Sequence, residues 1–413
     1  MPHIVVMLTT SYPRFPGDSV GTFMEPIAKS VAARGHEVHV VAPWHPLITR
    51  GREEDGVWFH FYKYAPIPAL NVFGYAAAMR ADVSVRGAAY VVAPLALAAG
   101  WRAARSVARR HRATVMHGHW VIPGGVTAAA AAPELPLVIS LHGSDVYVAE
   151  TFPPARVAAR RALRRAGFVT ACSDDLARRA EALGADRTRL ETVPYGVDTT
   201  RFCPDPAARA ARRRALGVGD GVALVVMAGR LVRKKGFEYA IDALTRLPDV
   251  GAGVVLAIAG AGSLDQELRE RARAAGVEER VRFLGDRTQD QVGEHFAAAD
   301  VILVPSVRDD SGNVDGLPNV VLEALASGTP LVTTAAGGIG AVVEDGRTAL
   351  VVPERDSMAL ASAIRRILSD RTTSERIGSA ARALVEARFG WGRVAERFEA
   401  AYTRALAFKS TGR

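Results

Sequence analysis

Short apolar runs, each ending in glycine or a polar residue and each followed by a helix-patterned segment, recur along the whole chain. "HIVVMLT" leads through a glycine-containing turn into "TFMEPIAKSVAARG", and "HEVHVVAP" follows. Strand, helix and strand in that order predict a parallel sheet with helices on both faces. Further strands are expected at Thr114 to His117, Leu137 to Leu141, Phe168 to Ala171 and Glu191 to Pro194. The pattern then restarts. "DPAARAARRRALGVGDG" reads as a linker, after which "VALVVMAGR", "GVVLAIAG", "VRFLG", "DVILVPS" and "TPLVTT" alternate with helices. Runs that are apolar at every position suit parallel strands buried on both faces. The chain has 413 residues, long for one domain. The expected architecture is α/β: two doubly wound Rossmann-like domains facing each other across a cleft. They occupy residues 1–200 and 201–385, and a helical tail, residues 386–413, crosses back to the first.

Bulk properties remove several classes. Hydrophobic residues make up 49% and charged residues 23%, enough for real cores. Disorder is expected only at Lys409 to Arg413. Two cysteines, Cys172 and Cys203, build neither a disulfide scaffold nor a zinc cluster, which fits a reducing, cytoplasmic setting. Met1 to Thr10 reads as a strand rather than a cationic, apolar leader. The longest uncharged apolar stretch, Gly87 to Trp101, contains Pro94 and is shorter than the roughly 20 residues of a membrane span. Net charge is +9, with basic clusters at Trp101 to Arg112 and Ala155 to Gly167. Solvated helix faces or a surface touching anionic lipid both account for them. Nucleic acid does not, because the arginines lack interleaved aromatics.

In doubly wound folds ligands bind beyond the carboxyl ends of strands, and the informative residues of this chain stand there. After the first strand, Gly17 and Gly21 bracket a loop opening a helix, whose N–H groups suit a phosphate or serve turn geometry alone. "HGHW", His117 to Trp120, carries an His-x-His pair without a third ligand nearby; it reads as polar cleft lining, available to an acceptor, and no metal is expected. In "SLHGSD", His142 can bond a sugar hydroxyl, with Asp145 either orienting it or capping a helix. In "GRLVRKKGF", Arg230 and Lys235 can converge on one anion and neutralise a departing nucleotide.

"DGLPNVVLEALASGTP" places Asp315 and Glu323 eight residues apart around the start of a helix. Pro318 suits an early helical position. The "DG" turn, with Gly316, Leu317 and Asn319, would aim first-turn N–H groups at a diphosphate. Glu323 would reach ribose hydroxyls, and Asp315 the far side of the phosphate, where a sugar lies. Glu323 also sits inside an apolar run, where an unpaired carboxylate is costly to bury.

In this order the elements resemble the retaining, nucleotide-sugar-dependent glycosyltransferases of family 4, with the GT-B fold. The family's elements appear as Gly229-Arg230-Leu231 with Lys235-Gly236, Ala259-Gly260-Ala261-Gly262-Ser263, Phe283-Leu284-Gly285, Ala299 to Ser306 and Val193 to Asp198. The resemblance implies that Arg230 and Lys235 bind the donor diphosphate, that His142 lies beside the donor sugar, and that Glu323 binds the ribose. Its first acid, usually glutamate, is Asp315 here; asparagine and glutamate of the pattern are replaced by Tyr195 and Ala341. It also implies a metal-independent, retaining transfer, with no cofactor, from a nucleotide sugar to a hydroxyl. The acceptor is expected to be a glycan or lipid-linked, as in bacterial surface-polysaccharide assembly, at the inner membrane face. Epimerases of the same architecture and a non-catalytic sugar-nucleotide-binding protein are the rivals. A nicotinamide dehydrogenase lacks its tight G-x-G-x-x-G after the first strand.

Overall fold

The computed structural model describes residues 2–18, 20–71, 74, 75, 87–247 and 253–411. Side chains are described for fewer residues; those of 87–91, for example, are not. The chain divides into two compact units, Met1–Gly196 with Trp391–Arg413, and Val197–Gly390.

The first unit holds an eight-stranded sheet. Its strands are β1 (Ile4–Leu8), β2 (Glu37–Pro43), β3 (Glu53–Glu54), β4 (Val57–Tyr62), β5 (Val115–His119), β6 (Leu137–Leu141), β7 (Phe168–Ala171) and β8 (Leu190–Thr192), in the spatial order β3-β4-β2-β1-β5-β6-β7-β8. Every pairing is parallel except β3 with β4. Strands that run outward in both directions from β1 make a doubly wound sheet, covered by helices on both faces. Val5, Met7, Val38, Val40, Val115 and Val138 are fully buried and pack with Ile27 and Val31 of the helix Met24–Ala32. The helix Trp391–Thr411 completes this core with Val394, Phe398 and Tyr402. Burying a side chain of that size contributes about 2–3 kcal/mol, so the tail is part of the core. Of the expected loose end, Lys409 to Thr411 are helical, and Gly412 and Arg413 lie outside the described residues.

The second unit repeats the plan with β9 (Ala223–Ala228), β10 (Val254–Ala259), β11 (Val281–Gly285), β12 (Val301–Val304), β13 (Leu331–Thr333) and β14 (Leu350–Val351). Their order is β11-β10-β9-β12-β13-β14, all parallel. Its core joins Val225, Leu256, Ile258, Leu303 and Val332 to Phe237, Ile241, Leu268 and Ile364.

The segment read as a linker is instead a helix, Pro206–Ala215, belonging to the second unit. Asp205 caps it by accepting from the N–H groups of Ala207 and Ala208 at 2.9 Å. Its arginines are not idle charge: Arg213 pairs with Asp300 at 2.9 Å, and Arg209 and Arg212 pair with Asp300 and Glu294. An Ala- and Arg-rich composition hides a docked helix because its stripe is made by guanidinium ion pairs rather than by large apolar residues. None of its residues is fully buried.

Candidate functional site

In the second unit, β9 and β10 are neighbours, and the loops leaving them lie side by side. Leu231 N–H donates to Ala261 O at 3.0 Å, and Leu264 N–H returns to Leu231 O at 3.1 Å. The contact is so close that a Cβ on Gly262 would stand 2.5 Å from Leu231 O. Gly262 therefore fixes the first loop in place. Gly236, at φ +69°, turns the chain where a Cβ would meet Pro305 O at 2.0 Å. Ahead of Gly236 the chain presents Arg230, exposed, then Lys234 and Lys235.

Lys234 is buried, and its Nζ lies 3.0 Å from Asp315 Oδ1; Lys235 Nζ lies 2.6 Å from Asp315 Oδ2. Burial alone would raise the Asp315 pKa, but Lys235 and Lys234 more than offset it and hold the carboxyl well below the usual range. Asp315 is thus the counter-ion of the cations that the sequence assigns to the phosphate, and Lys234 is a member of the site that the sequence reading missed. Two adjacent lysines, one facing the core, was the available signal.

Pro318 stands one position earlier than expected. With φ −68° and ψ 122° it is the N-cap, and the helix is Asn319–Ser327. Its own ψ is extended rather than helical, so the helix begins after it. Val321 N–H bonds Pro318 O at 3.0 Å, leaving the Asn319 and Val320 N–H groups ahead of the ladder. Gly316, Leu317 and Pro318 are buried beneath this tip. Two buried polar atoms nearby, Asn319 Oδ1 and Ser306 Oγ, have no hydrogen-bond partner.

Glu323 is partly buried, and Gln289 Nε2 donates to its Oε1 at 3.3 Å. Burial pushes its pKa up to about 7, against the opposing fields of Lys235 and Arg201. Arg201 is itself held by Asp290 at 2.7 Å and Gln289 at 2.9 Å. Lys235 therefore acts on both acids of the motif, while Gln289 and Arg201, distant in sequence, complete the surroundings of the second.

The first unit's residues behave differently. His142 offers no free ring nitrogen: Nδ1 meets the Tyr195 hydroxyl at 2.7 Å, and Nε2 meets His119 Nδ1 at 3.1 Å. Asp145 does not orient that ring. Its carboxylate accepts from the backbone N–H groups of Val121 at 2.7 Å, Gly143 at 2.9 Å and His142 at 3.2 Å, which cinches two loops together. Its proposed catalytic part is corrected to a positioning one. Burial raises its pKa and the backbone bonds oppose the rise.

His117 is corrected as well. It is fully buried, with Nδ1 on the Tyr402 hydroxyl at 2.9 Å and Nε2 on Ser140 Oγ at 2.7 Å, so it cannot touch an acceptor. Its burial follows from strand alternation: His117 and His119 share one face of β5. His119 is also fully buried, and its Nε2 has no partner. Trp120 alone of that group keeps exposed surface, its indole 4.7 Å from the His142 ring and 5.6 Å from Phe23. Gly21, at φ +68°, accepts from Met24 N–H at 2.9 Å and closes the turn before Met24–Ala32. The first turn of that helix carries Glu25, paired with Arg50 at 2.7 Å and Lys29 at 2.8 Å, so its charge is already balanced.

Two parallel, doubly wound units, one with a lysine pair on Asp315 just ahead of a helix tip, have the architecture of GT-B glycosyltransferases. The Glycosyltransferase Family 4 model matches residues 20–201, and the Glycosyl transferases group 1 model residues 208–384. A GDP-mannose-dependent alpha-(1-6)-phosphatidylinositol monomannoside mannosyltransferase of Mycobacterium tuberculosis is 34% identical over 262 residues, 63% of this chain and 68% of that protein. A putative colanic acid biosynthesis glycosyltransferase, WcaL of Escherichia coli, is 32% identical over 260 residues, 62% of this chain and 61% of that one. Anabaena HepE, solved in complex with UDP, superposes with a TM-score of 0.76 at 22% identity, covering 96% of this chain and 98% of that one. The chain belongs to glycosyltransferase family 4 and is a nucleotide-sugar-dependent glycosyltransferase.

Proposed function

We propose that the protein moves a hexose from a UDP- or GDP-sugar to a hydroxyl of a glycan or lipid-linked acceptor, with retention at the anomeric carbon and without a metal ion or cofactor. The observation that carries this is the Lys234–Lys235–Asp315 cluster in the unit that presents the Asn319–Ser327 helix tip. Two ammonium groups, exposed Arg230 and unpaired helix N–H groups can receive a diphosphate, and the orphaned Asn319 Oδ1 and Ser306 Oγ leave polar capacity unused. Charge building on the leaving diphosphate would be met by these groups, the work a divalent cation does in other transferases. The acceptor hydroxyl attacks the face from which the diphosphate departs, and its proton passes to the leaving phosphate. His142, held from both sides, presents a fixed ring edge rather than a mobile base, and Trp120 offers an apolar face to a sugar.

A cytoplasmic site at an anionic membrane face is part of this reading. No helix among the described residues is long and apolar enough to cross a membrane. The helix Gly87–Arg110 nevertheless exposes Leu95, Leu97, Trp101 and Arg102, a composition suited to lying at a lipid interface.

The test is a screen of UDP-, GDP- and ADP-sugars by thermal shift and slow hydrolysis, without added Mg2+ or Mn2+. A single preferred nucleotide, and a product whose anomeric proton coupling matches that of the donor, is expected. Inversion, or transfer only with added metal, overturns the mechanism. Sedimentation with phosphatidylglycerol vesicles against phosphatidylcholine vesicles tests the membrane part.

A further inference from the structure

A group of histidines that sugar transfer does not use gathers elsewhere in the first unit. The register of β2 with β4 sets His39 opposite Trp58 and Val41 opposite His60, so Glu37, His39, Trp58 and His60 share one sheet face. His111, just past the end of the helix Gly87–Arg110, lies over the same face. Its ring centroid is 4.0 Å from that of His39 and 5.6 Å from that of His60. One nitrogen from each of the three imidazoles lies within 4.8 Å of the others.

Two features go beyond proximity. His39 Nδ1 and His60 Nε2 stand 3.0 Å apart, whereas two nitrogens about 2.0–2.1 Å from one tetrahedral ion are about 3.3 Å apart. The second nitrogen of His39, Nε2, is 2.8 Å from Glu37 Oε1. A carboxylate that takes the N–H of one ring nitrogen fixes the tautomer and turns the other nitrogen's lone pair outward, as behind metal-ligating histidines. His39 is fully buried, and His60 and His111 are partly buried.

We propose that His39, His60 and His111 form a binding site for one divalent transition-metal ion, with Glu37 orienting His39. Three imidazoles suit Zn2+, Co2+, Ni2+ or Cu2+, and not Mg2+ or Ca2+, which prefer oxygen. The ion would join β2, β4 and the end of the helix Gly87–Arg110. The site lies toward the start of β2, apart from the loops that follow the ends of β5 and β6. It does not depend on the transfer reaction.

The test uses the full chain without a histidine tag, stripped with chelator. Titration with Co2+, followed by visible absorption, should saturate at one equivalent and be reversed by Zn2+. Zn2+, but not Mg2+, should raise the melting temperature. His60→Gln and His111→Gln should each weaken binding at least 10-fold, and Glu37→Gln by about 10–100-fold. His45→Gln, outside the cluster, should change nothing. Glu37 is substantially exposed, so its variant keeps the test open if an imidazole variant fails to fold. No saturable binding by the wild type, or undiminished affinity in all three cluster variants, overturns the proposal.

Discussion

The two units carry similar sheets and opposite kinds of polar chemistry. In the first, most strand-end groups are consumed by one another, with His119 Nε2 the exception. His142 is bonded at both nitrogens, Asp145 holds three backbone N–H groups, and His117 is locked between Tyr402 and Ser140. In the second, Lys234 and Lys235 both pair with the Asp315 carboxylate, and Asn319 Oδ1 and Ser306 Oγ stay unpaired. A satisfied network specifies shape; a site whose charges neutralise each other can exchange one partner for a ligand. Under the proposed function, the contrast makes the first unit a rigid template and the second the place where charge changes hands.

The largest effect that tests this contrast is loss of Lys235. Lys235→Ala should lower kcat/KM by about 1,000-fold, equivalent to about 4 kcal/mol of transition-state stabilisation. It also leaves Asp315 with one cation, so stability should fall by about 1–3 kcal/mol. Lys235→Ala with Asp315→Asn should recover the stability without the activity. If the double variant also regains turnover, the lysine serves folding and the contrast collapses. The complementary change is His117→Ala in the first unit. Two buried bonds vanish, with about 2–3 kcal/mol of stability, while nucleotide binding should be unchanged. A large loss of nucleotide affinity there would break the division of labour.

The architecture was legible because buried parallel strands announce themselves as unbroken apolar runs. β6 and β7 lie at the expected residues, and β9 to β13 within the expected runs. Short edge strands such as β14, only two residues long, carry no such signal. The Asp315–Glu323 spacing and Arg230/Lys235 were visible as chemistry, yet their partners were not. Lys234 looks identical to Lys235 in sequence, and only the turn at Gly236 decides which lysine faces inward. His117 and His119 illustrate the reverse failure. A histidine at a strand end reads as a ligand-binding group until a helix nearly 300 residues away, carrying Tyr402, proves to cover it.

Asp315 and Glu323 should respond to pH with opposite sign. Asp315 has a lowered folded-state pKa, so its ionised form stabilises the fold above the ordinary carboxylate range, and that contribution is lost as pH falls through the folded value. Glu323 titrates near 7 instead of near 4.5. Between those values the folded chain holds a proton that the unfolded chain has released, so stability declines as pH rises from about 4.5 to about 7. The residue is partly exposed, which limits the term to about 1–2 kcal/mol. Glu323→Gln should therefore match the wild type at pH 5 and exceed it at pH 8, read from denaturant midpoints at both. Equal midpoints at pH 8 would mean the carboxylate is solvated, and the burial argument fails.

The smallest effect belongs to Tyr195, whose hydroxyl meets His142 Nδ1 at 2.7 Å and whose ring stacks 4.8 Å from Phe23. Tyr195→Phe keeps the stack and removes the bond. If the first unit is a rigid template, His119 on the other side still holds the imidazole, and kcat should fall only about 3–10-fold, roughly 1 kcal/mol. KM for the nucleotide sugar should stay put if, as proposed, the other unit grips the donor charges. Burial, with His119 beside it, keeps the His142 pKa well below the usual histidine range. Removing a neutral hydroxyl should therefore leave the pH profile of kcat unmoved near neutrality. A profile that shifts would show His142 trading protons with substrate, making the first unit a chemical participant rather than a mould.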